Sequence, residues 1–246
     1  MPTPTLGLIG SGMIGGTLAR LAVTAGLDVV LANSRDPHTL AGLVTELGGR
    51  ARADTPAAAA EAGDLVVAAI PLKAYGRLPA DVLAGKTVID TTNYYPERDG
   101  HIGALDGDEL TSSELVQRHL PGAHVVKAFN NLGFHQLFTL ARPVGTSDRT
   151  ALPIAGDDAN AKQQATELLD VLGYDTVDIG TLADSWRSGP NTALYGFPYL
   201  GRPPTGLDAD ELQHWAAQSP GVPVSARRVK ELAEAAVRGP AGASYS

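Results

Sequence analysis

The sequence predicts an α/β fold: a doubly wound, mainly parallel sheet with helices on both faces, followed by a small extension of loops and helices. Three observations predict it. Short apolar runs rich in Val, Ile and Leu alternate with alanine-rich helical stretches from residue 6 onward, as in strands buried on both faces by crossover helices. A glycine-rich turn stands between the first strand and the first helix. After about residue 184 the alternation gives way to a stretch rich in Gly, Pro and aromatic residues.

The elements follow in order. "LGLIG" (6–10) is a buried strand and "MIGGTLARLAVTAG" (13–26) a helix, closed by Gly26 as a C-terminal glycine. "DVVLA" (28–32) is the second strand, and "PHTLAGLVTELG" (37–48) a helix with Pro37 in its first turn. "RARAD" is a short third strand, and "TPAAAAEAG" a helix with Thr55 as N-cap. "DLVVAAIPL" (64–72) and "KTVIDTTN" (86–93) are strands four and five, "TSSELVQRHL" a helix, and "HVVKAFN" (124–130) strand six. A helix around 134–140, a strand near 150–155, the helix "DANAKQQATELLDVLG" and a last strand "YDTVDIG" complete the alternation. Beyond it lie an ordered loop carrying Trp186, Tyr195, Phe197 and Tyr199, too aromatic for a disordered linker, and two short helices near 209–218 and 225–237.

The composition excludes several classes. With 27 acids against 19 bases, a net charge of −8, nucleic acid and anionic membrane surfaces are poor partners. The chain has no cysteine, which removes disulfides, iron–sulfur clusters, thiolate zinc sites and cysteine nucleophiles. No leader is visible at the N-terminus, and apolar runs such as 65–72 are too short to span a bilayer. A cytoplasmic protein is expected.

The glycine turn carries the chemistry. Gly10, Ser11, Gly12, Met13, Ile14 and Gly15 form a G-x-G-x-x-G that follows an apolar strand and opens a helix, the context that gives this motif meaning. In the Rossmann-type reading Gly10 permits the tight turn, Gly12 lets a pyrophosphate approach the backbone, and Gly15 lets the helix pack closely on the strand. The helix N-terminus then faces the phosphates. The alternative is that the glycines only shape a turn.

At the end of the second strand, where an acidic residue would bind the ribose hydroxyls of NAD, the chain has Asn33, Ser34 and Arg35. A guanidinium offers a planar fork of donors for phosphate oxygens, Ser34 adds a hydroxyl, and Asn33 can contact the adenosine or cap the turn. The trio reads as selection for NADP over NAD. The competing reading pairs Arg35 with Asp36 and makes Ser34 a helix cap.

The segments "LGLIGSGMIGGTLARLAVTAGLDVVLANSRDP", "LVVAAIP", "VIDTTN", "LPGAHVVKAFN" and "LPIAGDDANAKQQATELLDVLGYDTVDIGTLA" resemble, in order over residues 6–184, the NADP-dependent oxidoreductases that use the deazaflavin coenzyme F420. Relatives of that family include the flavin-reducing cytosolic domains of membrane ferric reductases. The resemblance implies direct hydride transfer between NADPH and a deazaflavin. By position it implies that residues 10–14 hold the pyrophosphate, Ser34 and Arg35 the 2′-phosphate, Ile70 and Pro71 the nicotinamide ribose side, and Ala128, Phe129 and Asn130 the nicotinamide. Residues 1–184 form the NADP-binding domain in this reading, and residues 185–246 an extension that departs from the family. That departure leaves a deazaflavin, a flavin or a small carbonyl or imine as alternatives for the second substrate. A non-catalytic NADP(H)-binding sensor is a further alternative.

Hydride transfer between stacked rings needs geometry more than acid–base groups. A carbonyl or imine acceptor would also need a proton donor, and the candidates near strand ends are Lys73, Tyr75, Tyr94, Tyr95, Lys127 and His135, with His135 and Tyr94 foremost. Each also has a packing role open to it. Asp157 and Asp158 read as the start of a helix, with no metal expected. The loop 186–199 is a wall over a flat ring substrate, a dimer contact or a local core. A small-molecule ring substrate and a homodimer, the latter by analogy alone, are the expected partners.

Overall fold

The computed structural model describes residues 4–240; the first and last few residues, where the N-terminal reading and both outer domain limits fall, lie outside the described residues. Eight strands form one sheet in the order β3-β2-β1-β4-β5-β6-β7-β8. They are β1 (Thr5–Ile9), β2 (Asp28–Ala32), β3 (Ala51–Ala53), β4 (Leu65–Ala68), β5 (Thr87–Asp90), β6 (His124–Lys127), β7 (Ala151–Gly156) and β8 (Asp175–Asp178). Strands β1 to β6 are parallel, β7 runs antiparallel to β6, and β8 pairs parallel with β7. The sheet is therefore the mainly parallel, doubly wound one the sequence predicts.

The strand side chains divide by period two between the faces. Leu6, Leu8, Val67, Ile89 and Val126 face one core with helices Met13–Thr24 and Ala159–Leu172. Ile9, Val66, Ala68, Val88 and Val125 face the other, covered by helix Ser112–His119 and its neighbours. Burial of both faces explains why these strands read as unbroken apolar runs.

Local signals hold at several helix ends. Thr55 accepts a hydrogen bond from the Ala58 N–H at the start of helix Pro56–Ala62, and Gly26 takes φ +88° after helix Met13–Thr24. Asp158 caps helix Ala159–Leu172 by accepting from the Ala161 N–H at 2.8 Å, while Asp157 accepts from the Leu182 N–H at 2.9 Å. Both acids of "AGDD" are thus occupied with the backbone.

The extension is part of the same body. Leu194, Tyr199, Val224, Val229 and Leu232 are buried in the first core with the sheet. The boundary expected at 184/185 falls inside one 3-10 segment, Leu182–Ser188. Helices Ala209–Gln218 and Ala226–Glu234 follow it. Among the described residues no helix is long and apolar enough to cross a membrane.

Candidate active site

The strand order reverses between β1 and β4, and the crevice beyond their C-terminal ends is where open α/β sheets bind ligands. The glycine turn lies there. Gly10 takes φ +104°; a Cβ on it would sit 2.2 Å from the Ala69 carbonyl oxygen and 3.0 Å from Ile70 Cγ2. A Cβ on Gly15 would sit 1.8 Å from the Gly10 carbonyl oxygen. Only glycine lets the helix approach its own turn so closely. Gly12 differs: among the described residues nothing beyond its chain neighbours lies within 4 Å of where its Cβ would be, so its missing side chain leaves open space rather than relieving a clash. Gly12 is the N-cap of helix Met13–Thr24 and makes no side-chain cap, which leaves the helix N-terminus to an anion. Ser11 Oγ donates to the Ala32 carbonyl at 2.9 Å and ties the turn to the end of β2, so its hydroxyl is engaged in the fold.

Past β2 the capping roles differ from the competing expectation. Asp36, not Ser34, caps the following turn, accepting from the His38 N–H at 2.9 Å. Asn33 caps the loop: its Oδ1 accepts from the Arg35 N–H at 2.8 Å and its Nδ2 donates to Thr39 at 2.9 Å. Ser34 and Arg35 are exposed. Among the described residues neither side chain has a hydrogen bond, and Arg35 has no ion pair. A surface guanidinium left without a carboxylate beside a phosphate-binding turn is suited to a phosphate monoester.

The fourth strand ends at Ala68, short of the expected 72, because Leu72–Arg77 turns into a 3-10 segment. Ile70 is half-buried and Pro71 exposed just past that end, beside Gly10. After β6, Phe129 has φ +59°, rare for an aromatic residue. Its ring is fully buried and packs edge-on to Tyr174 at 6.4 Å. Ala128 is also fully buried, so this segment presents backbone and not an aromatic face. Asn130 is held by three groups: its Nδ2 donates to Asn93 Oδ1 at 3.1 Å and to the Ser188 carbonyl at 2.9 Å, while its Oδ1 accepts from Ser188 Oγ at 3.2 Å.

Of the two foremost proton-donor candidates, Tyr94 lines a cleft with Asn93, Lys127 and Trp186. Tyr94 is 7 % exposed. Its hydroxyl donates to Asp106 at 2.6 Å and accepts from the Ile102 N–H at 2.9 Å, bracing the loop after β5; burial, then Asp106, pushes the phenol up. His135 lies half-buried on helix Phe134–Thr139, with no ring hydrogen bond among the described residues. Lys127 is the structural ion-pair partner, bonded at 2.9 Å to a fully buried Asp90. Lys73 donates to the Arg98 carbonyl at 3.1 Å, and Tyr75 packs edge-on to His119 at 5.7 Å.

Tyr95, named among the candidates but not foremost, is half-buried one position on. Its hydroxyl meets that of Tyr195, and Arg98 lies over its ring at 4.8 Å. Asn93 Nδ2 donates to the Asn130 carbonyl at 2.8 Å and, more loosely, to Tyr195 Oη at 3.4 Å. The aromatic loop thus divides its work: Tyr199 is core, Tyr195 meets Tyr95, and Trp186 lines a cleft with Asn93, Ser112, Lys127 and Ser185. Ser185 Oγ, buried in that lining, has no hydrogen-bond partner among the described residues.

Fold and glycine turn define a dinucleotide-binding α/β protein, and the comparisons with known proteins specify which. A profile described as NADP oxidoreductase, coenzyme F420-dependent, matches residues 5–94. A hypothetical protein from Sinorhizobium meliloti has a structure similar at TM-score 0.69 with 31 % identity, covering 79 % of this chain and 93 % of that one. A protein from Arthrobacter sp. FB24, given as a candidate F420-dependent NADP reductase, is similar at TM-score 0.63 with 26 % identity, covering 75 % of this chain and 87 % of that one. Metalloreductase STEAP3 of Rattus norvegicus is 31 % identical over 185 residues, 74 % of this chain and 35 % of that protein. The chain spans a little over a third of the length of the curated relatives it matches. The chain belongs to the family of NADP oxidoreductases named for coenzyme F420.

Proposed function

We propose that the protein transfers hydride between NADPH and a deazaflavin coenzyme. The observation that carries this reading is the pairing of the open space at Gly12 with the unpartnered Ser34 and Arg35 at the end of β2. In it, the backbone of residues 10–15 and the helix N-terminus take the pyrophosphate. Ser34 and Arg35 take the 2′-phosphate, with Asn33 holding the Arg35 backbone in place. Ile70 and Pro71 border the nicotinamide ribose, and the backbone of Ala128, Phe129 and Asn130 borders the nicotinamide. The bound dinucleotide supplies the hydride; the chain supplies alignment and exclusion of water. The family description and the Arthrobacter relative support the choice of deazaflavin. By analogy alone, the setting is cytoplasmic and the assembly a homodimer.

A second reading, reduction of a small carbonyl or imine, is favoured by one observation: the phenol pair Tyr95–Tyr195 stands beside Asn93 and Asn130. NADPH carrying deuterium at the transferring position of C4 tests direct transfer. Deuterium on carbon in the reduced deazaflavin is expected; hydrogen drawn from solvent at that carbon contradicts it, and deuterium found only in a reduced imine or ketone selects the second reading.

A further inference from the structure

We propose that Tyr95 is the proton donor to the acceptor and that Tyr195 resupplies it. The assignment rests on the hydride-transfer reading above and deepens it at the acceptor end. When a hydride reaches the carbon end of a conjugated double-bond system, or of a carbonyl or imine, the electron pair moves to the nitrogen or oxygen at the other end, which takes a proton. A phenol held at the right place supplies it.

The geometry points to Tyr95. Asn93 and Asn130 stand past the ends of the adjacent strands β5 and β6 and are joined by two hydrogen bonds, at 2.8 and 3.1 Å. Those two bonds fix which end of the Asn93 amide faces which way, because Oδ1 accepts from Asn130 and Nδ2 donates to its carbonyl. The amide nitrogen therefore faces Tyr195 Oη as a donor. Either phenol can be the donor in the bond between them; with Tyr195 donating, the Tyr95 proton points away from the pair and is left for the acceptor. The phenols come from chain segments 100 residues apart, so the tail whose sequence departs from the family supplies half of the device.

The surroundings suit an acid. Burial pushes the Tyr95 phenol up, against smaller lowering effects of Tyr195 and Arg98, so it keeps its proton at neutral pH. The charged groups facing it are Arg98, over its ring, and Asp99; Lys73 reaches the Arg98 carbonyl. The Asp99 side chain is buried and ion-paired with Arg98 at 2.8 Å, accepting also from the Tyr95 N–H at 3.0 Å. Arg98 is thus fixed where it would stabilise a phenolate. The step balances. Hydride leaves NADPH, giving NADP, and the acceptor gains it on carbon. The acceptor's nitrogen or oxygen takes the Tyr95 proton. The phenolate recovers a proton from Tyr195, which recovers one from solvent.

The test uses the full chain, NADPH and oxidised deazaflavin, with Tyr95→Phe, Tyr195→Phe and Arg98→Gln. Tyr95→Phe is expected to lower kcat about 100-fold or more, to leave the NADPH Kd from fluorescence titration within about twofold, and to abolish the solvent isotope effect on kcat. Tyr195→Phe is expected to lose about tenfold. Arg98→Gln is expected to move the basic limb of the kcat–pH profile upward, since a phenol without its cation is a weaker acid; this variant keeps both phenols should Tyr95→Phe fail to fold. Unchanged kcat in Tyr95→Phe, or a fall that leaves the pH profile and isotope effect as in the wild type, overturns the assignment and makes the pair a clamp on the tail. A wild type that binds NADPH and reduces no deazaflavin overturns both the acceptor and the donor assignment; one that binds no NADPH overturns the reading of the glycine turn itself.

Discussion

Gly12 and Gly15 lie three positions apart and answer to opposite demands. A methyl on Gly15 would collide with the Gly10 carbonyl, whereas one on Gly12 would meet none of the other described residues within 4 Å. Gly15→Ala is therefore expected to lose about 3 kcal/mol, lowering Tm by about 6–10 °C. Gly12→Ala is expected to melt like the wild type and to lose NADPH affinity by tenfold or more. Thermal melts and NADPH titrations of both variants check this, and a Gly12→Ala protein that binds normally would contradict the phosphate reading. At this scale the sequence was legible wherever a residue acts on its own neighbourhood. Gly10, Gly15, Thr55 and Asp158 do what their spacing predicts. Capping past β2 was harder to assign because Asn33, Ser34 and Asp36 can all cap, and only the path of the chain selects Asn33 and Asp36. Tyr95 was not separable from Tyr94, since its partner lies 100 residues away.

Between elements, polar side chains of β5 and β6 tie the sheet together. Lys127 on β6 reaches Asp90 on β5, and Asp90 also accepts from the Thr92 N–H at 2.9 Å and Ser113 Oγ at 2.6 Å. Lys127→Met would leave that carboxylate buried without its cation, at a loss of about 3–5 kcal/mol; chemical denaturation measures it, and a loss below about 1 kcal/mol would mean that water or Ser112 replaces the lysine. Alternation of apolar runs and helical stretches placed all eight strands. The reversal of β7 was not legible, because a buried strand reads the same in either direction. Single turns of helix such as Pro96–Asp99 and Gly103–Asp106 are too short to show a period.

For the whole molecule, the extension and the sheet share one core, and two phenols in it are titration sensors. Burial pushes Tyr174 and Tyr199 well above the ordinary value near 10. Tyr174 donates to the Leu137 carbonyl at 2.5 Å, while Tyr199 accepts from Asn131 at 3.0 Å and donates to the Ala151 carbonyl at 3.2 Å. Above about pH 10 the unfolded chain loses these protons while the folded one retains them. The unfolded state then binds fewer protons, and stability falls as pH rises. Melts at pH 8, 10 and 11 should show a decline confined to the upper interval; a flat profile would place the phenols in contact with solvent.

Cofactor choice and hydride transfer meet in one reaction, in which the purified protein is mixed with oxidised deazaflavin and either NADPH or NADH while the deazaflavin absorbance band is followed. Bleaching is expected with NADPH, with kcat/KM favoured over NADH by about 30-fold, the worth of roughly 2 kcal/mol from charge-assisted bonds to one phosphate. Arg35→Ala is expected to remove most of that preference. No bleaching, equal rates with NADH, or a preference that survives in Arg35→Ala would contradict the account.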